Sequence, residues 1–366
     1  MKNKVKDKIY FFHPYSGMGG ADLSISRLIN GIDEKKYDIE LITINKPKIK
    51  TKIKAKIKYL QLKVNRTFLA YKFINKHIAL DIKYQRKIFI SNQNFANSLS
   101  TILLKKRDDL KLVLFERNHI DELNYYYDLV DFIKKNIIKF LIKFFYKYAD
   151  LVLTNSEESS LDLKNFTSCK IKTLYNPCFL KLHNQKRKKT SKKIVILNVS
   201  RFSNQKDHIT LLKGFNNSRY KDKFLLKLVG YGENEEKIKK FIYEHKLKNV
   251  KVFKNIFNQK LIYSNSDLFI LTSLYEGFPN VLVEAASYRI PIISSNFKSG
   301  CTEILLNGKA GTIFNKKNHK ELSDLIDKFY CDRFFFEKKE LICAKNLKRF
   351  SYDKILKEFN TILSNI

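Results

Sequence analysis

Strand-like and helix-like segments alternate from end to end, which predicts an α/β protein of two domains, each built on a parallel sheet, with a cleft between them. Three observations lead to this fold class. Short apolar runs recur with helix-length segments between them. The alternation stops at a dense basic stretch near residue 180 and starts again beyond it. The 366 residues, with 44% hydrophobic and 13% aromatic content, suffice for two cores of ordinary size.

In the first half, residues 8–13 and 39–44 read as buried strands around a helix at 22–32, and further strands are expected at 87–91, 112–116 and 151–155. Residues 46–58 alternate Lys with Ile, which suits an edge strand or a loop whose charges blunt edge pairing. After Asn176-Pro177 the run LKLHNQKRKKTSKK, residues 180–193, is the best linker in the chain. The pattern then restarts with strand 194–200, helix 207–215, strand 224–229, helix 233–245, strand 267–272, helix 281–288 and strand 291–295, and charged helices begin near 320. Each half therefore reads as a Rossmann-like unit, residues 1–180 and 181–350, with a C-terminal helix at about 351–366 available to pack back on the first.

The formal charge of +35 suits a partner rich in phosphate, whether nucleic acid or an anionic membrane surface. Abundant Lys, Asn, Ile, Phe and Tyr with no Trp is equally what an AT-biased genome produces. The five cysteines, Cys169, Cys178, Cys301, Cys331 and Cys343, form no CxxC or Cys/His set and read as free thiols. No apolar run approaches the ~20 residues of a membrane span, and residues 9–12 are too short for a signal-peptide core, so the expected location is cytoplasmic.

The most specific motif is Glu276-Gly277-Phe278-Pro279-Asn280-Val281-Leu282-Val283-Glu284, between an expected strand and an expected helix. Ligands in open α/β sheets bind outside the carboxyl ends of strands. Amides of Asn280, Val281 and Leu282 at the helix start would suit a diphosphate, and two framing carboxylates suit the hydroxyls of a sugar or ribose. A second motif, residues 198–207, places Arg201 and Lys206 just after a strand, where a planar fork and a mobile point charge can neutralise phosphate oxygens. Third, Ser16-Gly17-Met18-Gly19-Gly20-Ala21 sits between the first strand and first helix without the Lys-Ser/Thr of a Walker motif.

Together these segments resemble glycosyltransferase family 4, the retaining enzymes of GT-B architecture, in bacterial surface-polysaccharide or lipid-linked-oligosaccharide assembly. The family's two glutamates are separated by seven residues, as Glu276 and Glu284 are. The resemblance implies that Glu276 contacts the transferred sugar, Glu284 holds the ribose, and Arg201 with Lys206 faces the diphosphate. Gly19 and Gly20 match the family's Gly-Gly-Ala-Glu turn, with Asp22 in place of its Glu, and Gly230-Tyr231-Gly232 matches a turn near the nucleotide base. Residues 299–304 resemble the loop after the glutamate helix. The likeness spans about residues 10–314 and is thin between 47 and 110, where acceptor recognition is expected.

One departure concerns catalysis. Many members carry Glu-His where this chain reads Phe115-Glu116-Arg117-Asn118-His119, so either Arg117 or His119 is a candidate for that position. The implied activity is retaining transfer of a hexose or N-acetylhexosamine from a nucleotide diphosphate sugar, expected to be UDP-linked, to a saccharide acceptor, expected to be polyprenyl-linked. No cofactor is implied. No Asp-x-Asp pair occurs, so no metal is expected. Lys135, Lys139, Lys143 and Lys147 recur every four residues within 132–148, which suggests a helix docking on the inner face of an anionic membrane. The rival readings are a nucleotide-sugar epimerase or hydrolase of the same fold and a nucleic-acid-binding protein. The Glu276 to Glu284 motif disfavours the latter, and no nucleic-acid partner is expected.

Overall fold

The computed structural model describes residues 6–15, 17, 19–105, 107–183, 193–254, 256 and 258–366. Residues 184–192 of the expected linker, and Ser16 and Met18 of the glycine turn, lie outside the described residues. The chain divides into two compact units, Met1–Pro177 with Tyr352–Ile366, and Cys178–Ser351.

The first unit holds β1 (Asp7–Phe12), α1 (Gly20–Asn30), β2 (Tyr37–Thr43), β3 (Lys58–Gln61), α2 (Thr67–Leu80), β4 (Lys87–Asn92), α3 (Asn94–Leu103), β5 (Leu110–Glu116), α4 (Leu129–Phe145), β6 (Leu151–Thr154), α5 (Glu157–Phe166) and β7 (Ile171–Thr173). Its seven strands are parallel in the order β3-β2-β1-β4-β5-β6-β7. β1 shows why its run over residues 9–12 is apolar throughout. Ile9 and Phe11 enter one core and Tyr10 and Phe12 the other, so a strand covered on both faces has no polar side. Residues 46–58 resolve into a 3-10 turn at Lys48–Lys52, and the edge strand β3 begins only at Lys58.

The second unit repeats the plan with β8 (Ile194–Val199), α6 (His208–Asn217), β9 (Phe224–Val229), α7 (Glu235–Glu244), β10 (Val250–Phe253), α8 (Gln259–Tyr263), β11 (Leu268–Leu271), α9 (Asn280–Ser287), β12 (Ile292–Ser295), α10 (Cys301–Ile304), β13 (Thr312–Phe314), α11 (His319–Cys331) and α12 (Arg333–Asn346). The six parallel strands run β10-β9-β8-β11-β12-β13. The last helix, α13 (Tyr352–Ser364), buries Ile355, Phe359, Ile362 and Leu363 in the core of the first unit, beside α1. In each unit the strand order reverses beside its first strand, so β1/β4 and β8/β11 are the topological switch points where ligands bind in such sheets.

None of the five cysteines is in a disulfide. Among the described residues no helix is long and apolar enough to cross a membrane.

Candidate active site

The loops leaving β8 and β11 meet at the switch point of the second unit. The Leu274 amide donates to the Gln205 carbonyl at 2.8 Å, and the Thr272 hydroxyl to the Lys206 carbonyl at 2.9 Å. These bonds fix the Lys206 side chain against Glu276, with which it forms an ion pair. Glu276 is 8% exposed and also accepts from the Ser273 hydroxyl at 2.7 Å, while Gln205 Nε2 lies 3.4 Å from its other oxygen. A buried carboxylate so surrounded has a fixed orientation. Arg201 opens the same β8 loop and is exposed.

His208, the first residue of α6, shares a 2.9 Å hydrogen bond with the Ser200 hydroxyl. Burial, reinforced by the Lys206 charge, pushes its pKa down to about 3, so the imidazole is neutral and adds no charge beside the ion pair.

Glu284 sits one turn into α9, where the Tyr263 hydroxyl donates to its Oε2 at 2.7 Å. Burial, then the Glu284 charge, pushes that phenol far up, which keeps it a donor. The loop before α9 is held by Phe278 edge-on to Phe350 at 5.2 Å and by the Ser299 hydroxyl, which donates to the Gly277 carbonyl. The amides at the helix start differ from the sequence expectation. Asn280 donates to the Phe278 carbonyl at 3.0 Å and Leu282 to that of Pro279 at 2.9 Å. Pro279 caps the helix with no side-chain acceptor, so the chain turns tightly on itself and uses these amides internally. Val281 is the one of the three whose amide has no acceptor among the described residues.

Gly230 and Gly232 lie beside the β8 loop. A Cβ on Gly230 would stand 1.9 Å from the Ser200 carbonyl oxygen, and one on Gly232, at φ 155°, 2.4 Å from that of Phe202. Their backbone bonds explain the approach, since Phe202 N donates to Tyr231 O at 2.8 Å and Asn234 N to Phe202 O at 2.8 Å. The glycines thus let the turn after β9 seat the loop that carries Arg201 and Lys206.

In the first unit the glycine turn is also occupied from within. Asp22 accepts from the Gly17 amide at 2.7 Å, the Gly19 amide at 2.9 Å and His13 Nε2 at 2.9 Å. Burial raises its carboxyl, but the His13 bond and charge with the two amides outweigh that and hold it below the usual range. The Gly19 amide, in the turn that matches the family's glycine motif, therefore serves Asp22. Gly20 is the first residue of α1.

Arg117 and His119 follow β5 and are both buried, yet they differ in what holds them. Arg117 Nη1 donates to the Asn176 side chain at 2.8 Å and to the Ser24 hydroxyl at 3.0 Å, over the Phe115 ring. Its Nε and Nη2 have no partner among the described residues. Burial pulls its pKa down to about 9, partly offset by the Asp22 charge. His119 instead caps the 3-10 turn Ile120–Asn124, accepting the Asp121 amide at 3.0 Å, with Nε2 3.2 Å from Asp162.

Several supporting residues escaped the sequence reading. Tyr263 is 21 positions from Glu284 and carries no motif, and Ser273 is a common residue in a strand-to-loop turn. The structure also brings Glu40, His77 and Asp81 within 4.8 Å, a grouping that could hold a metal ion. Lys8 pairs with Glu40 at 2.9 Å and the Tyr10 hydroxyl donates to Asp81 at 2.5 Å, so these carboxylates are already compensated.

Comparison with known proteins bears on the fold and the enzyme class. The family profile described as glycosyl transferases group 1 matches residues 181–350. An uncharacterized glycosyltransferase of Methanocaldococcus jannaschii is 28% identical over 74% of this chain and 72% of its own. The N-acetylgalactosamine-N,N'-diacetylbacillosaminyl-diphospho-undecaprenol 4-alpha-N-acetylgalactosaminyltransferase of Campylobacter jejuni is 25% identical over 84% of this chain and 85% of its own. Anabaena HepE, solved in complex with UDP-glucose, superposes with a TM-score of 0.81 at 18% identity, covering 98% of this chain and 100% of its own. By these likenesses the chain is a glycosyltransferase of GT-B architecture with two Rossmann-like α/β units.

Proposed function

We propose that the enzyme transfers a hexose or N-acetylhexosamine, with retention, from a UDP-sugar to a saccharide carried on a polyprenyl lipid during cell-surface glycan assembly. The observation that carries this is the Lys206–Glu276 ion pair at the β8/β11 switch point, with Arg201 on the same connection after β8 and Glu284 one turn into the helix that follows β11. HepE, of the same fold, was solved with UDP-glucose, and the C. jejuni relative is named for a diphospho-undecaprenol acceptor. Both facts support the donor and acceptor classes.

In this reading Arg201 and Lys206 face the diphosphate, Glu284 binds ribose hydroxyls, and Glu276 orients the transferred sugar. The loop 278–282 and the Gly230/Gly232 turn shape the donor pocket, and the Gly19-Gly20 turn with Arg117 or His119 serves from the first unit. The bond from the anomeric carbon to the diphosphate breaks and a bond to the acceptor oxygen forms on the same face. The acceptor proton passes to the leaving phosphate oxygen. Two cationic side chains supply the charge compensation, so no metal is required. The protein works at the inner face of an anionic membrane, where a lipid-linked acceptor resides.

Thermal shift against a panel of nucleotide sugars tests the donor, since one at 100 times its Kd adds about 2.7 kcal/mol of apparent stability. NMR of the product then reads the anomeric configuration. Stabilisation by no UDP-sugar, or an inverted product, would sink the proposal.

A further inference from the structure

α4 enters the core of the first unit through Ile138 and Ile142 alone. Its opposite side carries Leu129, Ile133, Ile137, Phe140 and Phe144, spaced so that they form one outward stripe, and each is 46–72% exposed. α2 repeats the arrangement: Ala70, Tyr71, Ile74 and Ile78 are buried, while Leu69, Phe73 and Leu80 stand out at 50–71% exposure. The inner residues of both helices belong to one core on one face of the sheet, and α3 packs against both. The two apolar stripes therefore leave the unit on the same side.

We infer that α2 and α4 together form a membrane-insertion face, seating their apolar stripes in the interface of an anionic bilayer. This rests on the membrane reading above and changes its physical basis. The lysine stripe expected from sequence is not a row of free cations, because Lys135 pairs with Asp131 at 2.9 Å and donates to the Tyr125 carbonyl. Lys139 and Lys143 instead line one edge of the apolar stripe on α4, as Lys72 and Lys76 do on α2. An apolar stripe with a cationic edge is the pattern of an interfacial helix, whose apolar side enters the acyl boundary while the lysines reach phosphates. The cationic edge also favours an anionic bilayer over an uncharged apolar partner as occupant.

The chain lacks tryptophan, so one introduced residue reports one place. Phe140→Trp and Phe73→Trp are expected to shift their emission to the blue on phosphatidylglycerol vesicles and to be quenched by brominated acyl chains. Tyr243→Trp, at an 84% exposed site in the second unit, is expected to be unchanged. In flotation, Ile133→Gln/Ile137→Gln/Phe140→Gln and Leu69→Gln/Phe73→Gln/Leu80→Gln should each weaken binding roughly tenfold or more, with unchanged thermal melts.

Wild-type protein that binds no vesicle overturns the membrane reading itself. Binding without a blue shift at either position overturns this face alone. A shift at Phe140 only, or binding lost entirely in high salt, overturns two-helix insertion. A blue shift that grows with protein concentration in the absence of lipid assigns the face to self-association and overturns the proposal equally.

Discussion

Lys206 and Glu276, 70 residues apart in sequence, form an ion pair between the loop after β8 and the loop after β11. The pair sets the charge at the switch point before any donor arrives, because Lys206 is held by a carboxylate that is itself fixed by Ser273. A diphosphate must share or capture that lysine. Lys206→Met is therefore expected to weaken UDP binding by roughly tenfold or more, the ~1.4 kcal/mol or greater typical of a lost charge-assisted contact, and to lower stability by leaving Glu276 buried without its cation. Calorimetry with UDP and a denaturant melt read the two effects separately.

Glu276→Gln keeps the size of the side chain and an acceptor for Ser273, so it isolates the charge. The expected result is a fall in kcat of roughly a hundredfold or more with UDP affinity changed only a few-fold, since an orienting group at the reacting centre acts in the transition state. Glu284→Ala should do the reverse, raising the donor KM while kcat stays within a few-fold. Steady-state kinetics on the two variants would reject the division of roles if both changed the same parameter.

Transfer should persist in excess EDTA, because Arg201 and Lys206 can compensate the leaving diphosphate. The Glu40, His77 and Asp81 grouping offers no exception, since Lys8 already neutralises Glu40 and would repel a cation. Activity that disappears with chelator and returns with Mg²⁺ or Mn²⁺ would contradict this.

The sequence made the central strands legible and the edges obscure. β1 over residues 9–12 and β8 over residues 194–197 are apolar on both faces and announce themselves, whereas β7, β10 and β13 have three or four residues and mixed polarity, too few to show a period. α2 escaped because apolar residues cover most of its circumference. α4 was legible as a helix, yet the same excess of apolar residues concealed which side the core takes, and Ile138 with Ile142 is a narrow choice among many. At the site, the residue types and spacing of Glu276 and Glu284 stood in the motif. Nothing local announced that Asn280, Leu282 and Gly19 spend their amides within the protein, because that depends on how tightly each turn closes.

His208 makes a pH prediction for the second unit. Its pKa falls from 6.5 to about 3 on folding, so between those values the unfolded chain binds more protons and stability is lost as pH falls. The contribution is fully present above pH 6.5 and declines toward pH 3, with a slope of up to about 1.4 kcal/mol per pH unit. His208→Asn should flatten the acid side of the stability profile in that window. Melts at several pH values, overlaid for the two proteins, would refute the assignment if the slopes were equal.

Arg117 and His119 can be told apart by what each does for the fold. Arg117 is buried, with Nε and Nη2 unpartnered, and its pKa is pulled down to about 9 by burial, so the folded protein bears a desolvation cost for keeping it. Its two polar neighbours survive its loss, because the Ser24 hydroxyl already donates to Asn176 at 3.0 Å. Arg117→Met is therefore expected to leave stability unchanged or raise it by roughly 1–3 kcal/mol, while kcat falls by tenfold or more if the open N–H groups serve the reaction. His119 is the opposite case. It accepts the Asp121 amide and closes a turn, so His119→Ala should cost roughly 1–2 kcal/mol of stability, the usual loss for a removed cap. Paired melts and turnover measurements decide the matter. Stability lost with activity kept in Arg117→Met would make Arg117 a structural residue and pass the catalytic-site position to His119.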